Sequence, residues 1–338
     1  YGVGIIQPSN ALRALDKIGV AGKCMEAGLP FETFNLCAAN GYQFTTASTP
    51  PLGNLPANNG IPRNVLHNIV LTTATEHGVK VRMGVSVAEI KNEGDTASVT
   101  FTDGSTGNYD LVIGADGAYS KVRNLVFGNE IKPQYTGQSV WRFTTERPEE
   151  VKNGYFFYGK KTKAGLVPMS KNTMYLLCVT AEGEGNPFIP EDELAGRLKA
   201  HLGEYQTPLI TNIIDKIKDP KAIIYRPLET LLLPDPWFKN RVLIIGDAAH
   251  ATIPQLGQGA SLAVEDAVVL AEILAKEGNL ADLLTEFMKR RFERCKLVVD
   301  VSKQVGIWEQ MEWNGQLPPD VNIGALMGKT MGALMQPI

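Results

Sequence analysis

Apolar positions along the chain follow two spacings. In PSNALRALDKIGV, Leu12, Leu15 and Ile18 fall three residues apart and make one helical stripe. Ser9 or Asn10 stands where an N-cap belongs, and Gly19 where the helix can end. RNVLHNIVLTTATEHG repeats the helical pattern through Leu66, Ile69, Val70 and Thr73, with Gly78 as its stop. Between these helices, Cys37 to Gly60 is rich in Pro, Asn, Thr and Gly, which predicts irregular loop with a short strand or two. VKVRMG predicts a short strand. SVAEIKNEGDTASVTFTDGS predicts strands joined by turns, one of them at Asp103–Gly104. YDLVIGADG predicts a buried strand that runs into a glycine turn.

From about Ile131 the texture changes. SVWRFTT, GYFFYGKK, AGLVPM, TMYLLCVT and AIIYRPLETLLL are β-rich and aromatic, with helices predicted at EDELAGRLKAHL and PLITNIIDKIKD. The prolines of LLLPDPWFKN break regular structure. RVLIIGD then returns the chain to a buried strand, and Leu280 to about Trp313 is mostly helical. This return predicts an α/β fold. A Rossmann-like domain at 1–130 and 235–338 is interrupted by a β-sheet-rich domain at 131–234, and a long C-terminal helix follows.

Composition narrows the function classes. The chain has 338 residues, 44% hydrophobic and 20% charged, as expected of an ordinary globular protein. A net charge of −3 leaves no nucleic-acid footprint. No apolar run reaches the roughly 18–20 residues of a membrane span. Cys24, Cys37, Cys178 and Cys295 are scattered, without a CxxC pair or a His at metal spacing, and His67, His77, His201 and His250 are equally dispersed. Free buried thiols, a reducing cytoplasm and no metal are the expectation.

The stretch RVLIIGDAAHATIPQLGQGASLAVEDAVVLAEIL carries the chemistry. VLIIG is an uninterrupted apolar strand of the kind found in parallel sheets. Asp247 sits at its carboxyl end, where open α/β sheets bind ligands, and its carboxylate can accept hydrogen bonds from ribityl-like hydroxyls. Gly257 and Gly259 remove side chains where a backbone must approach a ligand closely. The helix that starts near Gly259 presents free N–H groups and a positive dipole end, suited to an electron-rich ring.

The string GDAAHATIPQLGQGASLAVEDA resembles the second FAD motif of the single-component flavoprotein aromatic hydroxylases, the p-hydroxybenzoate hydroxylase superfamily, in its salicylate- and urate-hydroxylase-like branch. DLVIGADGAYSKVR resembles that family's DG motif, linked there to both FAD and NAD(P)H. GVGIIQPSNALRALDKIGV, IPRNVLHNIV and RRFERCKLVVDVSKQVGIW resemble further family helices, and only about Ile131 to Leu233 is weakly matched. The family opens with a βαβ unit carrying GxGxxG. No such string occurs here, since GVG at Gly2 and GQG at Gly257 lack the third glycine. The resemblance implies that roughly 30–45 residues, about one βαβ opening, are missing from this chain.

The resemblance further implies FAD as cofactor, NADH or NADPH as donor, and transfer of oxygen from O2 through a flavin hydroperoxide to a small aromatic substrate. Cofactor contacts are expected from Arg63, Asp116, Asp247, Pro254, Leu256, Gly257, Gln258, Gly259 and Ala260. The substrate is expected between the flavin edge and the inserted sheet. Pro254 would form the pocket wall, Arg142 or Lys163 would pair with a carboxylate or oxyanion, and Tyr175 would hydrogen-bond a ring substituent. His250 is expected to be structural. A monomer or homodimer is expected. A flavin-dependent halogenase is disfavoured, because no WxWxIP string is present. A related flavoprotein oxidase or reductase, or an FAD-less chain with a binding role, stays open.

Overall fold

The computed structural model describes residues 3–183, 185 and 187–338, with Glu93 by its backbone alone. Gly2, the first glycine of GVG, lies outside the described residues. The fold is mixed α/β with several sheets and a long C-terminal helix. It comprises two compact units. One is Tyr1–Thr73, Tyr135–Leu228 and Val305–Ala325; the other is Ala74–Gln134, Glu229–Gln304 and Leu326–Ile338.

In the first unit a seven-stranded sheet runs in the order Ile223–Thr230, Gln134–Glu146, Thr173–Ala181, Thr162–Pro168, Gly154–Tyr158, Thr33–Ala38, Gln43–Ser48. Gly154–Tyr158 runs parallel to Thr33–Ala38, while Thr162–Pro168 is antiparallel to both of its neighbours. Thr162–Pro168 is buried along its whole length, as expected of a strand covered on both faces. Side chains alternate across the sheet. Trp141, Phe143, Leu176 and Cys178 point to one face and form the core with Leu198 and Leu202 of helix Leu194–Leu202 and Ile210 and Ile213 of helix Pro208–Ile214. Arg142, Lys163 and Tyr175 therefore point to the other face. A second sheet pairs Asn58–Pro62 with both Gly4–Pro8 and Leu29–Phe31.

In the second unit Val242–Ile244 is fully buried and pairs in parallel with Val112–Gly114, in the register Val242↔Val112 and Ile244↔Gly114. Its helices include Lys121–Phe127, Asp247–His250, Gly259–Leu274, residues 280–304 of Leu280–Trp313 and residues 326–334 of Ile323–Leu334. Trp237, Leu243, Leu262, Val269, Phe287 and Val298 are buried here. No helix among the described residues is long and apolar enough to cross a membrane.

Local expectations changed at four places. Ser9 is the first residue of helix Ser9–Lys17 rather than its cap. Pro8 holds the cap position, and the Ser9 hydroxyl donates to the Pro50 carbonyl at 2.8 Å. The Cys37–Gly60 stretch is more regular than expected, because it carries the end of Thr33–Ala38, all of Gln43–Ser48 and the start of Asn58–Pro62. VKVRMG forms no strand: Val79, Val81 and Met83 are exposed, and among the described residues no neighbouring strand takes up its backbone groups. Val112–Gly114 is a strand, but Ile113 is 44% exposed because the strand is the last of its sheet.

Candidate functional site

The turn after Val242–Ile244 is shaped by two left-handed glycines. Gly246, at φ 60°, ends the strand, and the short helix Asp247–His250 starts at once. Asp247 is exposed, while Ala248, Ala249 and His250 are buried. Pro254–Leu256 then forms a 3-10 turn, with Leu256 buried. It is closed by Gly257 at φ 65° and ψ 24°, a conformation that disfavours every residue with a Cβ. Helix Gly259–Leu274 begins two residues later, with Gln258 buried at its cap and Ala260 exposed.

This turn fits FAD. A Cβ built on Gly257 would meet nothing within 4 Å; one on Gly259 would meet Thr252 Cγ2 at 3.4 Å and the Asp247 carboxylate at 3.9 Å. Open backbone at both glycines, an exposed carboxylate beside Gly259 and the amino end of a long helix suit the hydroxyls and electron-rich ring of a flavin.

The DG segment ends in a capped helix. Asp116 is exposed, but both carboxylate oxygens serve helix Lys121–Phe127. One accepts from the Ser120 hydroxyl. The other accepts from the backbone N–H of Lys121 at 2.7 Å and of Val122 at 3.1 Å. Arg123 is buried and donates to the carbonyls of Ala248, at 2.8 Å, and Ala118, at 2.9 Å. It thus joins the DG segment to the Asp247 turn by hydrogen bonds that the sequence reading did not foresee.

A buried charge network lies beneath the turn. Asp266 accepts from the Gly246 N–H at 2.9 Å, from His250 Nε2 at 2.7 Å and from Arg291 Nε at 2.8 Å. Arg291 also donates to Glu265 at 2.9 Å. Glu265 is bridged in turn by Arg294 at 2.8 Å through two nitrogens. Asp266, Glu265, His250 and Arg291 are fully buried. Burial by itself would raise the Asp266 carboxyl, but His250 and Arg291 hold it down at about 2. Burial likewise opposes the His250 charge, yet Cys295 and Asp266 raise its pKa well above the ordinary value. His250 has the structural role expected of it. His250, Asp266 and Cys295 also bring ligand-type atoms within 4.8 Å of one another. Arg291 already supplies the cation there, because its guanidinium contacts both Asp266 and Cys295.

The first-unit candidates separate into two groups. Lys163 is buried and pairs with Glu309 of the long helix, whose other oxygen accepts from Gln138 at 3.4 Å. Arg142 is half-buried, and among the described residues its guanidinium makes no hydrogen bond or ion pair. Burial lowers its pKa, Tyr175 opposes that, and Arg63 and Arg226 add to it. Tyr175 is buried, and burial pushes its phenol up to about 12 against the pull of Arg142 and Arg63, so it remains a hydrogen-bond donor at neutral pH. Arg63 is exposed at the start of helix Arg63–Glu76.

Reasoning from the sequence overlooked Asp266, Glu265, Arg291, Arg294 and Glu309. A signal existed for the first four: adjacent acids interrupt the apolar run SLAVEDAVVLAEIL, and Arg291 and Arg294 of RRFER stand three apart, on one helix face.

The model of the FAD binding domain family matches residues 4–302. A Bacillus subtilis protein described as an FAD-dependent monooxygenase, YetM, is 32% identical over 308 residues, covering 90% of this chain and 82% of the relative. The 2-heptyl-3-hydroxy-4(1H)-quinolone synthase of Pseudomonas aeruginosa is 30% identical over 315 residues, 91% of this chain and 80% of the synthase. The crystal structure of Klebsiella pneumoniae HpxO complexed with FAD and uric acid superposes with a TM-score of 0.81 at 24% identity, covering 99% of this chain and 84% of HpxO.

Proposed function

The chain belongs to the FAD binding domain family, among the FAD-dependent monooxygenases of the aromatic-hydroxylase type, and on that premise we propose that it hydroxylates a small aromatic or heteroaromatic molecule with NADH or NADPH as donor and O2 as oxidant. The observation that carries this reading is the Asp247 turn, with its exposed carboxylate and bare glycine backbone at the end of a parallel strand. Asp247, the Pro254–Leu256 turn and the backbone of Gly257 to Ala260 would hold the flavin. Asp116 would act through the helix it caps. When bound, FAD accepts electrons from NAD(P)H and activates O2.

The chain's own residues bind, orient and exclude water. Arg142, with no carboxylate partner among the described residues, would take an acidic group of the substrate, and the Tyr175 phenol would donate to a ring substituent. Lys163, neutralised by Glu309, would line the substrate face of the sheet, and Pro254 would stand beside the flavin. We read residues 1–130 and 235–338 as the FAD-binding part and 131–234 as the substrate part. The parallel pairing of Val112–Gly114 with Val242–Ile244 supports this division. Four free, buried cysteines suit a reducing cytoplasm, and we read the assembly as a monomer or homodimer that binds no nucleic acid.

The test is NAD(P)H oxidation by FAD-loaded protein against aromatic acids, phenols, quinolones and purines, with the product identified and ¹⁸O2 as oxygen source. Substrate-stimulated oxidation with one ¹⁸O atom in the product is the expected result. Stimulated oxidation that yields only hydrogen peroxide would make the protein an oxidase.

A further inference from the structure

We propose that Asp266 is the positioning residue of the FAD turn: from the second turn of helix Gly259–Leu274 it grips the backbone of Gly246 and the ring of His250, and so fixes Asp247 relative to Gly259. The inference rests on the reading of this turn as the flavin site.

Three observations support it. First, the loop from Ala251 to Gln258 joins the two cofactor-facing elements, and Asp266 clamps them together. It belongs to the helix that starts at Gly259, yet it accepts from Gly246, the residue before Asp247, and from His250, the last residue of the short helix. Second, Gly246 sits at φ 60° and ψ −148°, the mirror-extended region that glycine alone enters freely, so the residue gripped by Asp266 is the one at which the chain turns from strand to helix. The N–H that Asp266 accepts is the group whose direction depends on that conformation. Third, Asp266 is itself held. Arg291 occupies its second oxygen at 2.8 Å and is tied in turn to Glu265. The carboxylate is fully buried and ionised, so its hydrogen bonds to Gly246 and His250 are charge-assisted.

Glu265 provides the control. It is adjacent in sequence, equally buried and bonded to the same Arg291, and its carboxylate is bridged by Arg291 and Arg294 of helix Leu280–Trp313. A residue that only stabilises the unit would behave like Glu265. A positioning residue would not.

The test compares Asp266→Asn with Glu265→Gln in the purified protein. Thermal melting, FAD titration and amide hydrogen exchange at residues 246–250 are measured for each. Both variants are expected to melt earlier. Asp266→Asn is expected to weaken FAD binding by roughly tenfold or more in its folded fraction and to speed exchange at 246–250. Glu265→Gln is expected to keep FAD affinity within about twofold. Equal FAD affinities and equal exchange in the two variants would overturn the proposal. If the unmodified protein binds no FAD, the flavin reading fails instead, and the exchange difference at 246–250 alone decides whether Asp266 holds the turn. If Asp266→Asn proves too unstable to purify, Asp266→Glu is compared in its place. It keeps the charge but lengthens the reach, and the same loss of FAD affinity and faster exchange are expected.

Discussion

The two units bury charge in opposite ways. Beneath the Asp247 turn each buried ion is held by several others: Asp266 by His250 and Arg291, Glu265 by Arg291 and Arg294. On the face of the seven-stranded sheet that carries Lys163 and Arg142, Lys163 is paired with the carboxylate of Glu309, and among the described residues Arg142 is paired with none. A charge with several fixed partners holds backbone in place. A half-buried cation without a partner has an electrostatic vacancy that an anion can fill. The first arrangement suits a rigid cofactor cradle and the second suits a site for an exchangeable substrate.

The sharpest way to break this comparison is to remove one ion from each region. Arg291→Met leaves two buried carboxylates short of a partner and is expected to cost about 3–5 kcal/mol. Replacing Lys163, Glu309 and Gln138, which also donates to Glu309, together with Met, Leu and Leu removes the pair and leaves no orphan charge, and is expected to cost well under the loss from Arg291→Met. Urea denaturation measures both; equal losses would erase the distinction. The pH dependence of the network follows from its shifts. Asp266 is depressed to about 2 from 3.8, so its contribution is complete above 3.8 and is lost as pH falls towards 2. His250 is raised, so its contribution is complete below 6.5 and is lost as pH climbs through its elevated folded value. Arg291→Met is therefore expected to melt in acid at higher pH than the unmodified protein, because Asp266 then titrates with one cation fewer.

What the sequence disclosed follows the same division. The Asp247 turn was legible because glycines, a proline and an acid at the end of an apolar strand leave a local signature, and the strands Val112–Gly114 and Val242–Ile244 were legible as two apolar runs that each lead into a glycine turn; their parallel pairing came from the fold. The partners of buried charges were not legible. Lys163 and Glu309 meet although they lie 146 residues apart, and Asp266 and Arg291 meet across 25. From the sequence alone, Lys163 and Arg142 are equivalent cations on strands; only the folded helix Leu280–Trp313 neutralises the first and leaves the second. VKVRMG failed for a related reason, since alternation predicts a strand but cannot supply its neighbour.

Arg142 gives the next largest effect. Arg142→Gln is expected to weaken binding of an aromatic acid ten- to a hundredfold, the value of a charge-assisted hydrogen bond of about 1.5–3 kcal/mol. Its melting temperature should hold, because no partner within the unit is orphaned. Salicylate and salicylamide make a suitable probe pair, with only the acid expected to lose affinity. Lys163→Gln should show the reverse, with lower stability and little change in binding. A variant of Arg142 that binds salicylate normally would remove this face from the substrate site.

The smallest effects separate the two glycines of the loop. Gly257 is demanded by the protein's own backbone: at φ 65° an added Cβ is strained even in open space, and Gly257→Ala is expected to cost about 1–2 kcal/mol. Gly259 carries no such demand. Its added Cβ would meet Thr252 only at ordinary contact distance, 3.4 Å, and the residue opens a helix, where alanine is favoured over glycine by about 0.5–1 kcal/mol. Gly259→Ala should therefore be as stable as the parent or slightly more so. If the position were glycine for packing alone, the change would improve the protein without consequence. The added methyl would stand beside the Asp247 carboxylate, in the space assigned to the flavin. FAD titration of Gly259→Ala is accordingly expected to show weaker binding in a protein that melts no earlier. Normal affinity would mean that the ligand does not approach the backbone there, and would leave Gly257 as the only glycine of the loop with a structural reason to be one.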